Sequence, residues 1–163
     1  MAAALVRAGF AVTGTDADEA GIEIARSICP EAEFSVGTFA EPHPGAFDLV
    51  ISTEVIEHLY EPKELIAYAA KALAPTGYLI ISTPYHGYWK NLALSIAGKW
   101  DHHHGVDWAG GHIKFFSRRT LTALLESQGF IVTDFIGVGR FPRLWKSMVL
   151  VARRPAKLRD DTK

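Results

Sequence analysis

Apolar and polar positions along the chain change period repeatedly, and each change marks an element. Residues 1–8 are helix formers and stop at Gly9, a plausible helix-ending glycine. Phe10 to Thr15 is a short β-rich run that delivers Asp16 at its end. Asp18 is placed to cap a helix in which Ile22, Ala25 and Ile28 recur at helical spacing, and Pro30 ends it. Glu33 to Val36 is a weaker strand. Phe47 to Ile51 is a nearly continuous apolar run of the kind buried on both faces of a parallel sheet. Pro62 opens the next helix, whose stripe is Leu65, Ile66, Ala69, Ala72 and Leu73. Pro75-Thr76-Gly77 breaks that helix, and Tyr78 to Ser82 reads as a second buried strand.

After residue 116 the alternation resumes. Ser117 caps a helix carrying Leu121, Leu124 and Leu125, Gly129 ends it, and two strands follow at Phe130–Ile136 and Met148–Ala152. Strands alternating with helices through short joins predict a doubly wound α/β sheet, mostly parallel, with an antiparallel final strand. Residues 84–116 interrupt the pattern and hold three of the four tryptophans and five of the seven histidines. That concentration predicts a substrate-covering insert rather than another layer of the sheet. The domain is expected over 1–152, with 153–163 as a polar tail.

Composition narrows the function classes. The chain has 163 residues, 48% hydrophobic and 21% charged, which is ordinary for a folded domain. Seventeen basic against eighteen acidic residues leave a charge of -1, so no nucleic-acid footprint is expected. No apolar run approaches the roughly 20 residues a membrane-spanning helix needs. Cys29 has no partner for an internal disulfide, and a cytoplasmic location is expected. A small molecule is the expected partner.

In open α/β sheets, ligands bind beyond the carboxyl ends of the strands. Three such ends are polar: Asp16, Ser52-Thr53-Glu54, and Ser82-Thr83-Pro84. A carboxylate there can accept both hydroxyl protons of a ribose diol, although the same residue can serve as a helix cap. In Glu54-x-x-Glu57-His58, side chains at i, i+3 and i+4 would share the face of a helical turn. Within the insert, Asp101-His102-His103-His104 and Gly110-Gly111-His112 offer metal ligands or a general base.

The segments Val12–Asp16, Phe47–Leu59, of which Glu54-Val55-Ile56-Glu57-His58-Leu59 is the most specific part, and Leu73–Pro84 resemble successive motifs of class I S-adenosylmethionine-dependent methyltransferases. The likeness is closest to the small-molecule branch that includes ubiquinone-biosynthesis O-methyltransferases, and it extends over roughly residues 1–152. The resemblance implies a Rossmann-like sheet, S-adenosylmethionine as cofactor, and methyl transfer to a small-molecule acceptor at oxygen. It implies that Asp16 binds the ribose, that Ala17, Thr38 and Phe39 lie at the adenine, and that Ser52, Thr53 and Glu54 line the methionine end. Thr38 replaces the family's acid. In some relatives the Glu54, Glu57 and His58 pattern holds a divalent cation. His86 and His112 are the candidate bases.

One departure stands out. The ribose-binding acid is expected about 20 residues beyond a glycine-rich fingerprint, and counting back from Asp16 passes Met1. The chain is therefore expected to be N-terminally incomplete, without the first strand and its glycine loop. In the family that strand lies between the Phe10–Thr15 and Phe47–Ser52 strands. Its absence would leave unpaired backbone groups costing about 1–3 kcal/mol each where buried. Two competing readings follow: an NAD-dependent oxidoreductase, from the strand-end acid alone, and an inactive methyltransferase-like binding domain, from the absent loop.

Overall fold

In the computed structural model, residues 1–38, 46–104 and 110–156 are described, and the backbone forms two compact units, Met1–Glu41 and Pro42–Lys163. The first unit begins with α1 (Ala2–Arg7), followed by β1 (Thr13–Asp16), α2 (Glu19–Ile28) and β2 (Glu33–Val36). Strand β1 starts three residues later than the sequence pattern suggests. The Phe10 N–H is taken by the Leu5 carbonyl at 3.1 Å, so Phe10 closes the end of α1 and stands half exposed. Gly9 makes that turn possible with φ +89°. Asp18 caps α2 as expected, its carboxylate accepting the Ala20 N–H at 3.2 Å. Ile22 is buried, but Ile28 is 68% exposed at the C-terminal end of the stripe. Strands β1 and β2 pair in parallel, with Thr13 opposite Glu33 and Asp16 opposite Val36. The Arg26 guanidinium ties α2 to β2 through the Phe34 carbonyl at 2.7 Å.

The second unit contains β3 (Phe47–Thr53), a 3-10 turn at Ile56–His58, α3 (Pro62–Ala72), β4 (Leu73–Pro84), α4 (Tyr88–Ile96), α5 (Trp100–His104), α6 (Arg118–Ser127), β5 (Ile131–Val138) and β6 (Ser147–Arg153). Its sheet runs β3-β4-β6-β5. Strands β3 and β4 are parallel, and β6 is antiparallel to both β4 and β5. The mixed α/β sheet with an antiparallel last strand is the one the alternation predicts. Strands β1 and β3, expected to flank the absent strand, belong to separate sheets, and β3 is an edge strand.

Two strand expectations need correction. Strand β3 is half-buried rather than buried on both faces; among the described residues it pairs along one edge, with β4. Strand β4 begins at Leu73, directly after α3, and not at Tyr78. Its pairing moves from Phe47↔Leu73 to Leu49↔Tyr78, so Ala74 to Gly77 form a bulge. Proline is tolerated at such a bulge because no ladder donor is required there.

The core follows the strand period of two. Leu79, Ile81 and Thr83 on β4, with Met148, Leu150 and Ala152 on β6, are at most 1% exposed. Ile66 and Ala69 of α3, and Leu121 and Leu125 of α6, are equally buried. Ser117 and Thr120 form a reciprocal capping box at the start of α6. Among the described residues no helix is long and apolar enough to cross a membrane.

Candidate active site

In the first unit, Asp16 ends β1 with its side chain exposed. One carboxylate oxygen accepts the Asp18 N–H at 3.0 Å, and the Asp16 carbonyl accepts the Gly37 N–H at 2.9 Å. Among the described residues no hydrogen bond to the other carboxylate oxygen is seen, and the side chain is exposed. Ala17 and Thr38 are exposed beside the same strand ends. Phe39 lies outside the described residues.

In the second unit, the carboxyl ends of β3 and β4 carry a connected polar set. Ser52 is buried, and its hydroxyl has no hydrogen-bond partner. Thr53 is exposed. Glu54 sits at φ +53°, a left-handed conformation uncommon for a residue with a Cβ. Its Oε1 accepts the Ser82 hydroxyl at 2.8 Å and the Ser147 hydroxyl at 2.7 Å. The single Ser147 proton is shared with the Thr83 carbonyl at 2.9 Å. One turn later Glu57 is fully buried; Thr83 Oγ1 donates to its Oε2 at 3.0 Å, and its Oε1 has no partner. Burial pushes the Glu57 carboxyl above its ordinary value.

The expected convergence of Glu54, Glu57 and His58 on one helical face is not what the backbone builds. The left-handed Glu54 and the 3-10 turn after it aim Glu54 at the serine hydroxyls of β4 and β6. The group that comes together is Glu57, His58 and His112, each offering one ligand atom within 4.8 Å of the others. The His58 and His112 rings meet edge-on with centroids 4.9 Å apart. What carries His112 there is the Glu57 carbonyl, which accepts the Ile113 and Lys114 N–H groups at 2.9 and 3.0 Å.

The other candidate base, His86, is 7% exposed. Its backbone N–H donates to the Phe116 carbonyl at 2.9 Å, and its ring stands edge-on to Phe115 with centroids 5.0 Å apart. The insert is partly helical. Helix α4 exposes Tyr88, Trp89, Leu92 and Ile96, and Trp100 is 44% exposed on α5. Trp108, like the side chains of His103 and His104, lies outside the described residues. His102 on α5 is exposed.

Sequence reasoning missed the polar partners at β6 and the interior lysine. Ser147 opens a strand whose pattern signals only core, and nothing marks it as a partner of Glu54. Lys90, on α4, is 3% exposed, with its ammonium donating to the Tyr85 carbonyl at 2.7 Å. Gly137 and Gly139, near the end of β5, divide in role. Gly137 leaves the space occupied by the Trp145 indole, which a Cβ there would enter. Gly139 adopts φ +70° where the chain turns after β5.

Comparison with known proteins agrees with this architecture. A family described as Methyltransferase domain matches residues 1–134. A probable S-adenosylmethionine-dependent methyltransferase of Mycolicibacterium smegmatis is 32% identical over 129 residues, covering 78% of this chain and 46% of the relative. A ubiquinone biosynthesis O-methyltransferase of Bartonella quintana is 31% identical over 144 residues, covering 82% of this chain and 57% of the relative. The chain thus spans about half the length of these curated relatives. A crystal structure of a SAM-dependent methyltransferase from Methanosarcina mazei superposes with a TM-score of 0.74 at 19% identity, covering 96% of this chain and 88% of that one. The magnesium protoporphyrin IX methyltransferase of Synechocystis PCC 6803, solved with bound SAH, gives 0.69 at 20% identity, covering 91% and 66%. The dehydrogenase reading has no support among these matches. The chain belongs to the S-adenosylmethionine-dependent methyltransferase family.

Proposed function

We propose that this domain transfers the methyl group of S-adenosylmethionine to a small-molecule acceptor, and that the receiving atom is oxygen. The observation that carries the reading is Asp16, an exposed carboxylate at a strand's carboxyl end with one oxygen uncommitted. Its donor-accepting chemistry fits a ribose diol.

When bound, the cofactor supplies an electrophilic methyl group on a sulfonium. In this reading Asp16 holds the ribose hydroxyls, and Ala17, Thr38 and Phe39 lie at the adenine. Ser52, Thr53 and Glu54 meet the methionine end, with the Glu54 carboxylate fixed by its two serine donors. His112 takes the proton of an acceptor hydroxyl at a ring nitrogen; His86, enclosed by Phe115 and Phe116, supports the fold of the insert. Displacement at a methyl carbon depends mainly on positioning, so one modest base is sufficient. The exposed aromatic rings of the insert suit a partly apolar acceptor.

A second reading of His112 rests on its grouping with Glu57 and His58. There a divalent cation would take the orphaned Glu57 oxygen and both imidazoles. A panel of phenols, amines and carboxylic acids incubated with methyl-labelled cofactor tests the first reading. Label on a phenol oxygen, falling roughly 10²-fold or more in His112→Gln at unchanged cofactor affinity, supports it. Label confined to nitrogen, or insensitivity to His112→Gln, contradicts it. Zinc or manganese titration by calorimetry, with and without Glu57→Gln, decides the second.

A further inference from the structure

The interior lysine has no role in the site above. Lys90 lies on the inner side of α4, just beyond the carboxyl end of β4, at 3% exposure. Lysine is almost never fully buried unless paired. Its one hydrogen bond is to the Tyr85 carbonyl, which uses one of three ammonium protons. Among the described residues no carboxylate pairs with it, and the charge that acts on it is another cation, Arg140. Burial and that repulsion together lower the ammonium's pKa to about 8, which still leaves it mostly charged near neutrality.

Lys90 and Arg140 border one cavity of about 210 Å³, whose remaining lining is Ala93, Leu94, Phe141 and Leu144. Two residues that carry cationic groups therefore line one small, mostly apolar space. The β5–β6 loop holds Arg140 there at a backbone cost. Arg140 and Arg143 both adopt left-handed conformations, with φ +60° and +68°, which cost of order 1–3 kcal/mol each for residues bearing a Cβ. The Lys146 N–H to Val138 carbonyl bond at 2.9 Å, and the Tyr85 N–H to Lys146 carbonyl bond at 3.2 Å, fasten that loop beside Tyr85. The volume is below the roughly 300 Å³ at which pockets for drug-sized ligands begin. It suits a fragment-sized molecule.

We infer that the Lys90–Arg140 cavity is a binding site for a small organic anion, an apolar body carrying one carboxylate or phosphate. The oxyanion lies between the ammonium and the guanidinium, and the body lies against Leu94, Phe141 and Leu144. Arginine's planar fork matches both oxyanions, so the geometry selects the charge and the apolar body together. The site stands on these residues alone and holds whether or not the chain transfers methyl groups.

The test is a titration of the full chain by two-dimensional NMR with hexanoate, hexyl phosphate and hexanol. Saturable shifts at Lys90, Ala93 and Leu144 with hexanoate or hexyl phosphate, and none with hexanol, are expected. The tighter of the two anions identifies the oxyanion class. Lys90→Met and Arg140→Gln should each weaken binding about tenfold or more, the loss of one charge-assisted contact. Arg140 is an exposed loop residue, so its variant reports on binding even where Lys90→Met alters packing. No saturable shift with either anion overturns the inference. So does equal binding of hexanol, or unchanged affinity in the Arg140→Gln variant.

Discussion

Replacing Lys90 by methionine keeps most of the apolar length of the side chain and removes a buried charge. Stability at one pH mixes two effects, the lost bond to the Tyr85 carbonyl and the lost cost of burying an ammonium beside Arg140. The pH dependence separates them. In the folded chain Lys90 titrates at about 8, against 10.5 for an ordinary lysine. Below about 8 the side chain is charged in both states, and the wild type carries the whole penalty. Between about 8 and 10.5 the unfolded chain binds the extra proton, so wild-type stability rises with pH relative to Lys90→Met. That interval corresponds to roughly 3 kcal/mol at about 1.4 kcal/mol per pH unit. Salt screening of the exposed Arg140 brings the expected change to about 2 kcal/mol. Urea denaturation of both proteins at pH 7, 8, 9 and 10 measures it, and the difference cancels the other lysines and the tyrosines. A difference that stays flat, or that moves in favour of the variant as pH rises, refutes the reasoning.

Three further substitutions test the packing and the polar set. Leu125→Ala empties a fully buried position on α6 and should cost about 2–5 kcal/mol in chemical denaturation. Thr83→Val removes the hydroxyl that donates to the buried Glu57 carboxylate and should cost about 1–3 kcal/mol, with Thr83→Ser recovering most of it. Ser117→Ala removes the cap of α6 and should cost about 1 kcal/mol by the same measurement, with Ser117→Asp close to wild type.

Elements governed by local chemistry were legible in the sequence. Asp18 and Ser117 mark helix starts because their side chains accept the N–H groups a first turn leaves free. Gly9 and Gly129 mark helix ends, both with positive φ. The antiparallel last strand is present as expected. Features that depend on pairing were not legible. Among the described residues β3 is half-buried and pairs along one edge, and the early start of β4 reflects a bulge that only the register reveals.

The candidate site divides the same way. Asp16, Ser52, Glu54 and Glu57 stand out because polar residues end apolar runs. His112 joins Glu57 and His58 through backbone bonds to Ile113 and Lys114, across more than fifty residues of chain. Helical spacing cannot show that contact. Lys90 follows the aromatic run Tyr88-Trp89, and a lysine on an amphipathic helix ordinarily faces solvent. It shares a cavity with the β5–β6 loop, which has no sequence signature tying it to α4.

The central claim is that this domain recognises an adenosyl sulfur compound through the carboxylate of Asp16. Titration calorimetry with S-adenosylhomocysteine and with NAD, on the wild type and on Asp16→Ala, tests it most directly. Saturable binding of S-adenosylhomocysteine, no heat with NAD, and roughly tenfold or greater weakening in Asp16→Ala are predicted. Binding of NAD without the sulfur ligand, or S-adenosylhomocysteine affinity indifferent to Asp16→Ala, would contradict it.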